Sequence, residues 1–324
     1  METDAASWAQ VWEQLQVLVR LYAGHLGQRL SPLNLLSMLT LCLVLWLVWR
    51  PAKGFLPWMF PARVYRNPSF WLDLKLMVFN GFIGLFITLN YVGVATFTAL
   101  TVARFLGLDA PTADTRLPVL SALVVFLAAD LAIYWYHRLH HDRPALWAIH
   151  ALHHSAEEMS PLTAFRHHPI YGLLGVVVLS VLVGLAQGLA MVAILGSVDV
   201  ATLAGTNLFA AVLNLGTANL RHSHIRLRFP AWAEHILISP AQHQVHHSVD
   251  PRHHNRNYGE VLALWDWLFG TLYITQPDET IRFGLGDGAG QPLPQPHPTF
   301  RVAMAEPVAR AWAVVRSSGS TGKK

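Results

Sequence analysis

The sequence predicts an all-α fold, a polytopic membrane helical bundle with a cytoplasmic histidine-rich helical cap. Three observations predict it. Charged residues make up 13% of the 324-residue chain and hydrophobic ones 53%, whereas a soluble domain carries about a quarter charged residues. Several uncharged runs are long enough to cross a bilayer as helices. Sixteen of the eighteen histidines fall between 137 and 254, outside those runs.

The elements follow in order. Residues 1–32 form an N-terminal unit whose stretch 5–29 suits an interfacial helix, with Trp8, Trp12, Leu15 and Val19 along one side. Glu2 and Asp4 stand where a secretory leader would be basic, so insertion is expected through the spans themselves. Residues 33–116 hold two transmembrane helices, an uncharged run at 33–49 and a 28-residue run at 76–103. A third span, 117–136, opens the histidine-bearing unit 117–275. It contains one acid, Asp130, seven residues before His137 and so on about the same helix face two turns earlier. Residues 170–198 and 200–220 are uncharged on either side of Asp199, which predicts a helical hairpin that crosses and returns. Such a return brings the histidines before and after it to one side of the membrane. The tail, 276–324, is rich in Pro, Gly and Gln, with a short helix near 301–316 and a disordered end, "SSGSTGKK".

Orientation follows from lysine and arginine. Loop 50–75 has five, the histidine segments and tail fourteen, and the opposite side only Arg20, Arg29, Arg104 and Arg116. The positive-inside rule then places the histidines in the cytoplasm and the N-terminus outside. The single cysteine, Cys42, lies in an apolar run, which excludes a disulfide framework, a zinc ribbon and cysteine-held haem or iron–sulfur sites. Net charge is +4, but the basic residues are scattered between hydrophobic runs, so no nucleic-acid partner is expected.

His-x-x-His-His occurs three times, at His137/His140/His141, His150/His153/His154 and His243/His246/His247, where chance placement would give it on the order of 0.1 times. Residues i, i+3 and i+4 share one helix face, so each triplet can aim two or three imidazoles at a common point. "HDRP" at 141–144 breaks the helix leaving the membrane, and Ser239-Pro240 reads as an N-cap followed by the first helical residue. Further histidines occur as His167-His168, His222, His224 and His253-His254. A site that takes eight of these nitrogens exceeds one tetrahedral zinc, so two metal ions are the simplest account. Imidazole suits iron, zinc, copper and nickel alike. A metal transporter or store is the alternative, but its ligands are expected to line a path at bilayer depth, and these lie outside the apolar runs. His25, His235 and His297 read as ordinary hydrogen-bonding residues.

Asp130, "YWYHRLHH" (134–141), "HALHHS" (150–155), "AFRHHP" (164–169), "RHSHIRL" (221–227), "HQVHHS" (243–248) and "NYGEVLALWDWLFGTLY" (257–273) together resemble the fatty acid hydroxylase/sterol desaturase superfamily. The resemblance covers about residues 70–285. It implies an integral membrane, O2-dependent, non-haem di-iron enzyme, in a bacterial inner membrane, that hydroxylates or desaturates a lipid C–H bond. Zinc can occupy such a site in purified material. The ligands it implies are His137, His141, His150, His153, His154, His168, His222, His243, His246 and His247. His140 and His224 stand where relatives usually carry other residues and are left out of that set. Asp130 is expected to accept a hydrogen bond from a ligand imidazole, because an acid inside an apolar span needs a partner; Glu157, Glu158, Asp250 and Asp266 are the other nearby carboxylates. Each turnover takes two electrons, and the chain has no dinucleotide fingerprint, so a separate ferredoxin, cytochrome or reductase is expected. Hydroxylation and desaturation, and sterol, acyl, carotenoid and alkyl-ether substrates, stay open.

Overall fold

The computed structural model describes residues 29–107, 118–195, 209 and 212–320. Residues 5–28 of the helix expected over 5–29 and just over half of the hairpin's return arm therefore lie outside the described residues. Seven longer helices organise the rest: α1 (Pro32–Trp49), α2 (Pro68–Phe105), α3 (Pro118–Asp142), α4 (Pro144–His154), α5 (Pro169–Ala190), α6 (Pro240–His246) and α7 (Phe300–Ser320). Among the described residues β-structure is limited to three isolated bridges.

One local device opens most of these helices. Ser31, Asn67, His168 and Ser239 each sit in extended backbone, accept a backbone N–H of the first turn through the side chain, and precede a proline at the first helical position. The proline has no N–H to leave unpaired and its φ already suits a helix. Ser239 and Gln242 complete a reciprocal capping box. α3 and α4 are separated only at Arg143, which leads into Pro144.

Helices α1, α2, α3 and α5 are long and apolar enough to cross a membrane. They present Leu36, Val48, Phe82, Phe97 and Val177 outward, a pattern that only lipid or another apolar phase accommodates. α2 has 38 residues, about 57 Å at 1.5 Å per residue, nearly twice a hydrocarbon core of about 30 Å. Its first turns stand in the cap: Asp73 pairs with Arg166 at 2.7 Å, both side chains fully buried, and Asn80 donates to the Phe165 and His167 carbonyls. Lower down, α2 packs closely on α5. A Cβ at Gly184 would meet the Ala95 carbonyl oxygen at 2.5 Å, and one at Gly188 the Ala99 carbonyl oxygen at 2.8 Å. Small residues four apart thus let two backbones touch, the means by which helices associate where there is no hydrophobic drive between them.

Two features differ from the sequence expectation. The mid-α1 residues Met38 and Cys42 cluster with Met59, Leu220 and Ile225, and Arg29, just before α1, bonds to Glu260 and the Ala218 carbonyl. α1 therefore packs against the segment carrying His222, a contact that the sequence reading did not include. The tail is also no appendage. Ala303 of α7 is fully buried with Leu72, Leu76 and Leu152, and Gln295 donates to the Ser155 carbonyl at 2.7 Å. Hydrophobic burial against α4 makes α7 part of the cap, and the helix runs to Ser320, past the end expected near 316.

Candidate metal centre

The last turns of α3 carry His137 and His141, α4 carries His150, His153 and His154, and α6 carries His243 and His246 with His247 at its C-cap. His222 caps the short helix Ala218–Arg221. These nine side chains form two groups, His137, His141, His150, His154 and His246 in one, His153, His222, His243 and His247 in the other; the candidate ligand atoms of each lie within 4.8 Å of one another. Eight of the nine are buried and His141 is half-buried. The groups adjoin, with the His154 ring stacked on His247 at 4.4 Å between centroids.

The nitrogens, not merely the rings, converge. In the first group the His150 Nε2 lies 3.1 Å from His137 Nε2 and 3.2 Å from His154 Nε2. In the second, His222 Nε2 lies 3.2 Å from His153 Nε2 and 2.9 Å from His243 Nε2, and His247 Nε2 lies 3.3 Å from His243 Nε2. Two nitrogens that each stand about 2.1 Å from one ion at near-right angles are about 3 Å apart. Hydrogen bonding alone does not account for the spacing, since a neutral imidazole has a single N–H. That proton is already committed in two members. His137 Nδ1 donates to the Tyr258 carbonyl at 2.9 Å and His246 Nδ1 to the Arg256 carbonyl at 2.8 Å. A carbonyl only accepts, so Nδ1 carries the proton and Nε2 a bare lone pair. The Nε2 atoms of His141 and His246 are buried with no partner. Buried lone pairs without a donor fit a metal ion, and leaving them unmet is costly.

Charge agrees with that fit. Burial, reinforced by neighbouring imidazoles, holds His150, His153, His154, His222, His243, His246 and His247 well below the usual imidazole range. At neutral pH the rings are uncharged, the state that binds a cation. Burial pushes Glu260 up, but Arg221 and Arg29 outweigh it and hold the carboxyl below its ordinary value. Arg221 reaches it at 3.3 Å and Arg29 at 3.1 Å.

The loop 255–266 explains how two backbone carbonyls come to face imidazoles. Asn255 and Asn257 both adopt left-handed backbone, φ 60° and 55°, a region asparagine tolerates better than most side chains. Asp266 accepts from the Tyr258 and Gly259 N–H groups. Asp130 accepts from the Val261 and Leu262 N–H groups and the Trp265 indole. Asp130 therefore bonds no imidazole, contrary to expectation; it pins the loop whose carbonyls orient His137 and His246. The other acids also bind elsewhere, Asp250 to Arg252 and Glu158 to Arg63.

Nine of the ten implied ligands come together and His168 does not. Its Nδ1 caps α5 by accepting the Ile170 N–H, and its Nε2 donates to the Met304 carbonyl, so both nitrogens are used. Its neighbour His167 instead stacks on His153 at 4.0 Å between centroids. His140 donates to the Tyr136 carbonyl, His253 pairs with Glu279 at 2.7 Å, and His254 is exposed. Sequence reasoning assigned nothing to Arg166, which binds the Leu152 carbonyl and Ser155 at the end of α4 and thereby locks the helix that serves both groups. The one signal was an arginine inside "AFRHHP". A cavity of about 380 Å³ opens on the first group, lined by His141, Trp147, His154 and His246 and roofed by Leu293 and Arg310 of the C-terminal segment.

Residues 122–271 match the fatty acid hydroxylase family model. The alkylglycerol monooxygenase of Danio rerio is 29% identical over 163 residues, covering 50% of this chain and 32% of the relative. The ornithine lipid hydroxylase OlsE of Rhizobium tropici is 30% identical over 145 residues, covering 45% and 39%. The Delta(7)-sterol-C5(6)-desaturase of Nicotiana tabacum is 28% identical over 158 residues, covering 48% and 50%. The match thus spans 32% to 50% of these relatives' lengths. No solved structure matches the chain.

Proposed function

We propose, from the premise that residues 122–271 belong to the fatty acid hydroxylase/sterol desaturase superfamily, that this chain is an integral membrane oxidoreductase that uses O2 and two iron ions to hydroxylate or desaturate a lipid C–H bond. The observation that carries the reading is the sorting of nine imidazoles into adjoining groups of five and four. His137, His141, His150, His154 and His246 would hold one ion, and His153, His222, His243 and His247 the other. Bound iron would supply the electron transfer to oxygen, and so the oxidising power toward a C–H bond, that no side chain has.

The chain's own residues do the rest. The Tyr258 and Arg256 carbonyls keep the protons of His137 and His246 on Nδ1, which fixes ring orientation before any ion arrives. Asp130 and Asp266 hold the loop carrying those carbonyls. Trp147, packed on His141 and His154 at 4.9 and 5.3 Å between centroids, excludes water from one side of the first group. The lipid would reach the centre from the bilayer, between the helices that deliver the imidazoles. Electrons would come from a separate ferredoxin, cytochrome or reductase. The lysine and arginine bias supports a cytoplasmic histidine cap in a bacterial inner membrane.

The test is comparative lipid mass spectrometry of cells with and without the intact gene, with metal analysis of the purified protein. The expected result is an oxygen-dependent lipid product, about two ions per chain, and loss of that product in His153→Ala with membrane insertion retained. Unchanged lipids in the presence of a competent electron donor would overturn the reading.

A further inference from the structure

Beside the first histidine group stands a run of oxidisable rings that the metal reading does not use. Tyr258 is buried, its ring 5.1 Å from His141 and 5.7 Å from both His137 and His246 between centroids. Tyr134 of α3, also buried, follows at 6.1 Å. Trp135 lies 5.6 Å beyond it, and Phe269 packs against both. Trp135 is 38% exposed, so three rings in succession lead from the candidate ligands to the surface. The branch through Tyr171, stacked on His150 at 5.2 Å, continues instead to Tyr136, which is buried.

A phenol releases an electron readily only if its proton can leave with it, and both hydroxyls have a partner placed for that. Thr271 donates to the Asp266 carboxylate at 2.6 Å. A hydroxyl has one proton, so in the 2.9 Å contact between Tyr134 and Thr271 the phenol is the donor. Arg138 donates to the same phenol oxygen at 3.1 Å. The Tyr134 proton therefore has a path to Thr271 and on to Asp266, whose carboxyl burial pushes up to about 6. Tyr258 donates to Asn255 Oδ1 at 3.1 Å, and Asn255 is exposed. At the outer end the Arg138 guanidinium lies over the Trp135 ring, 5.2 Å from its centroid. A cation there makes the ring harder to oxidise, so the run answers only to a strong oxidant.

We propose that Tyr258, Tyr134 and Trp135 are an electron relay to the first histidine group. An oxidising equivalent formed there that meets no lipid C–H bond is quenched by electrons passed inward along the rings, and the imidazoles are spared. The inference rests on the reading of the centre as an iron site that uses O2. With hydrogen peroxide as the oxidant the step balances: peroxide takes two electrons and two protons to become two waters. Trp135 supplies both electrons, taking an oxygen from water and releasing two protons as it becomes hydroxytryptophan. The tyrosines end unchanged. A thiol reductant at the surface would refill Trp135 instead, two thiols closing to one disulfide.

The test uses the full-length, iron-loaded protein in detergent without lipid substrate. Hydrogen peroxide is added, oxidised residues are located by peptide mass spectrometry, and metal-free protein is the control. Trp135 is expected to be oxidised ahead of Trp267 and Trp312, although these are 57% and 59% exposed and attack from solution would reach them first. Tyr134→Phe and Tyr258→Phe keep the rings and remove the protons. In each, Trp135 oxidation should fall to the level of Trp267 and Trp312 while 2-oxohistidine rises at His137, His141 and His246, with iron content before peroxide unchanged. Trp135 oxidised no more than those two tryptophans, oxidation diverted to Tyr171 or Trp147, or a Trp135 signal that persists in both variants would overturn the proposal. A lipid product with Trp135 untouched faults the relay alone, and Trp135 oxidation without any lipid product faults the substrate reading alone.

Discussion

The two histidine groups share α4 and α6, yet they are held in different ways. In the first, two rings have their protons fixed by the Tyr258 and Arg256 carbonyls, and the group faces a cavity of about 380 Å³ with mixed lining. In the second, four Nε2 atoms contact one another in series, and the Nδ1 atoms of His153, His222 and His243 are buried without partners. The first group is oriented from outside by a loop; in the second, three rings have no such outside partner on Nδ1, and a bound ion would have to orient them. A group with five nitrogens can also lose one and still surround an ion, whereas a group of four has no spare.

That contrast sets the largest expected effect. His243→Ala should lower bound metal from about two ions to about one and product formation by at least 100-fold, while His141→Ala should keep more than half of the metal. Metal analysis by mass spectrometry and product assays check this; equal loss from both variants would break the distinction. Next comes the feature the groups share. Arg166→Met strands the Asp73 carboxylate in a fully buried site, which costs about 3–5 kcal/mol, and it frees the end of α4. Thermal unfolding in detergent should show the loss, and both ions should weaken together.

Asp130→Asn acts only through the loop that orients the first group. We expect ion affinity there to fall by about 10-fold, within the range for groups that orient a ligand, with the second group unaffected; competitive chelation resolves the two. The pH response has a fixed sign. Seven imidazoles titrate below their ordinary 6.5 when folded, so below about pH 6.5 the unfolded chain binds more protons than the folded one. Stability of the metal-free cap is therefore full above 6.5 and falls as pH drops from there toward the lower folded values. Equilibrium unfolding between pH 7.5 and 5.5 measures it. The smallest effect belongs to His168→Asn. Asparagine is a good N-cap, so metal content should match the unaltered chain, and loss of an ion would return His168 to the ligand set.

Much of this was legible in the residues. The uncharged runs predict the apolar helices because a bilayer-crossing segment must satisfy its backbone within itself. Ser239-Pro240 predicts the start of α6, and the spacing of each histidine triplet predicts a shared face, because cap chemistry and helical period are local. What was not legible is partnership at long range. Asp130 and His168 are right about position and wrong about partner: each stands next to the site, but Asp130 meets the N–H groups of residues more than 130 positions away, and His168 meets its own helix and α7. The low-complexity look of 276–299 hid that the chain beyond it returns to bury Ala303 against α4.

By itself, then, the sequence determined the class of the molecule, its apolar helices, and which residue type would gather near which helix ends, since these follow from composition, period and caps. Only the tertiary structure decided that nine imidazoles divide five and four, and that backbone carbonyls rather than carboxylates hold the protons of His137 and His246. The reason is physical: a side chain's type limits what it can bond to, but burial among particular neighbours selects which of those bonds is made.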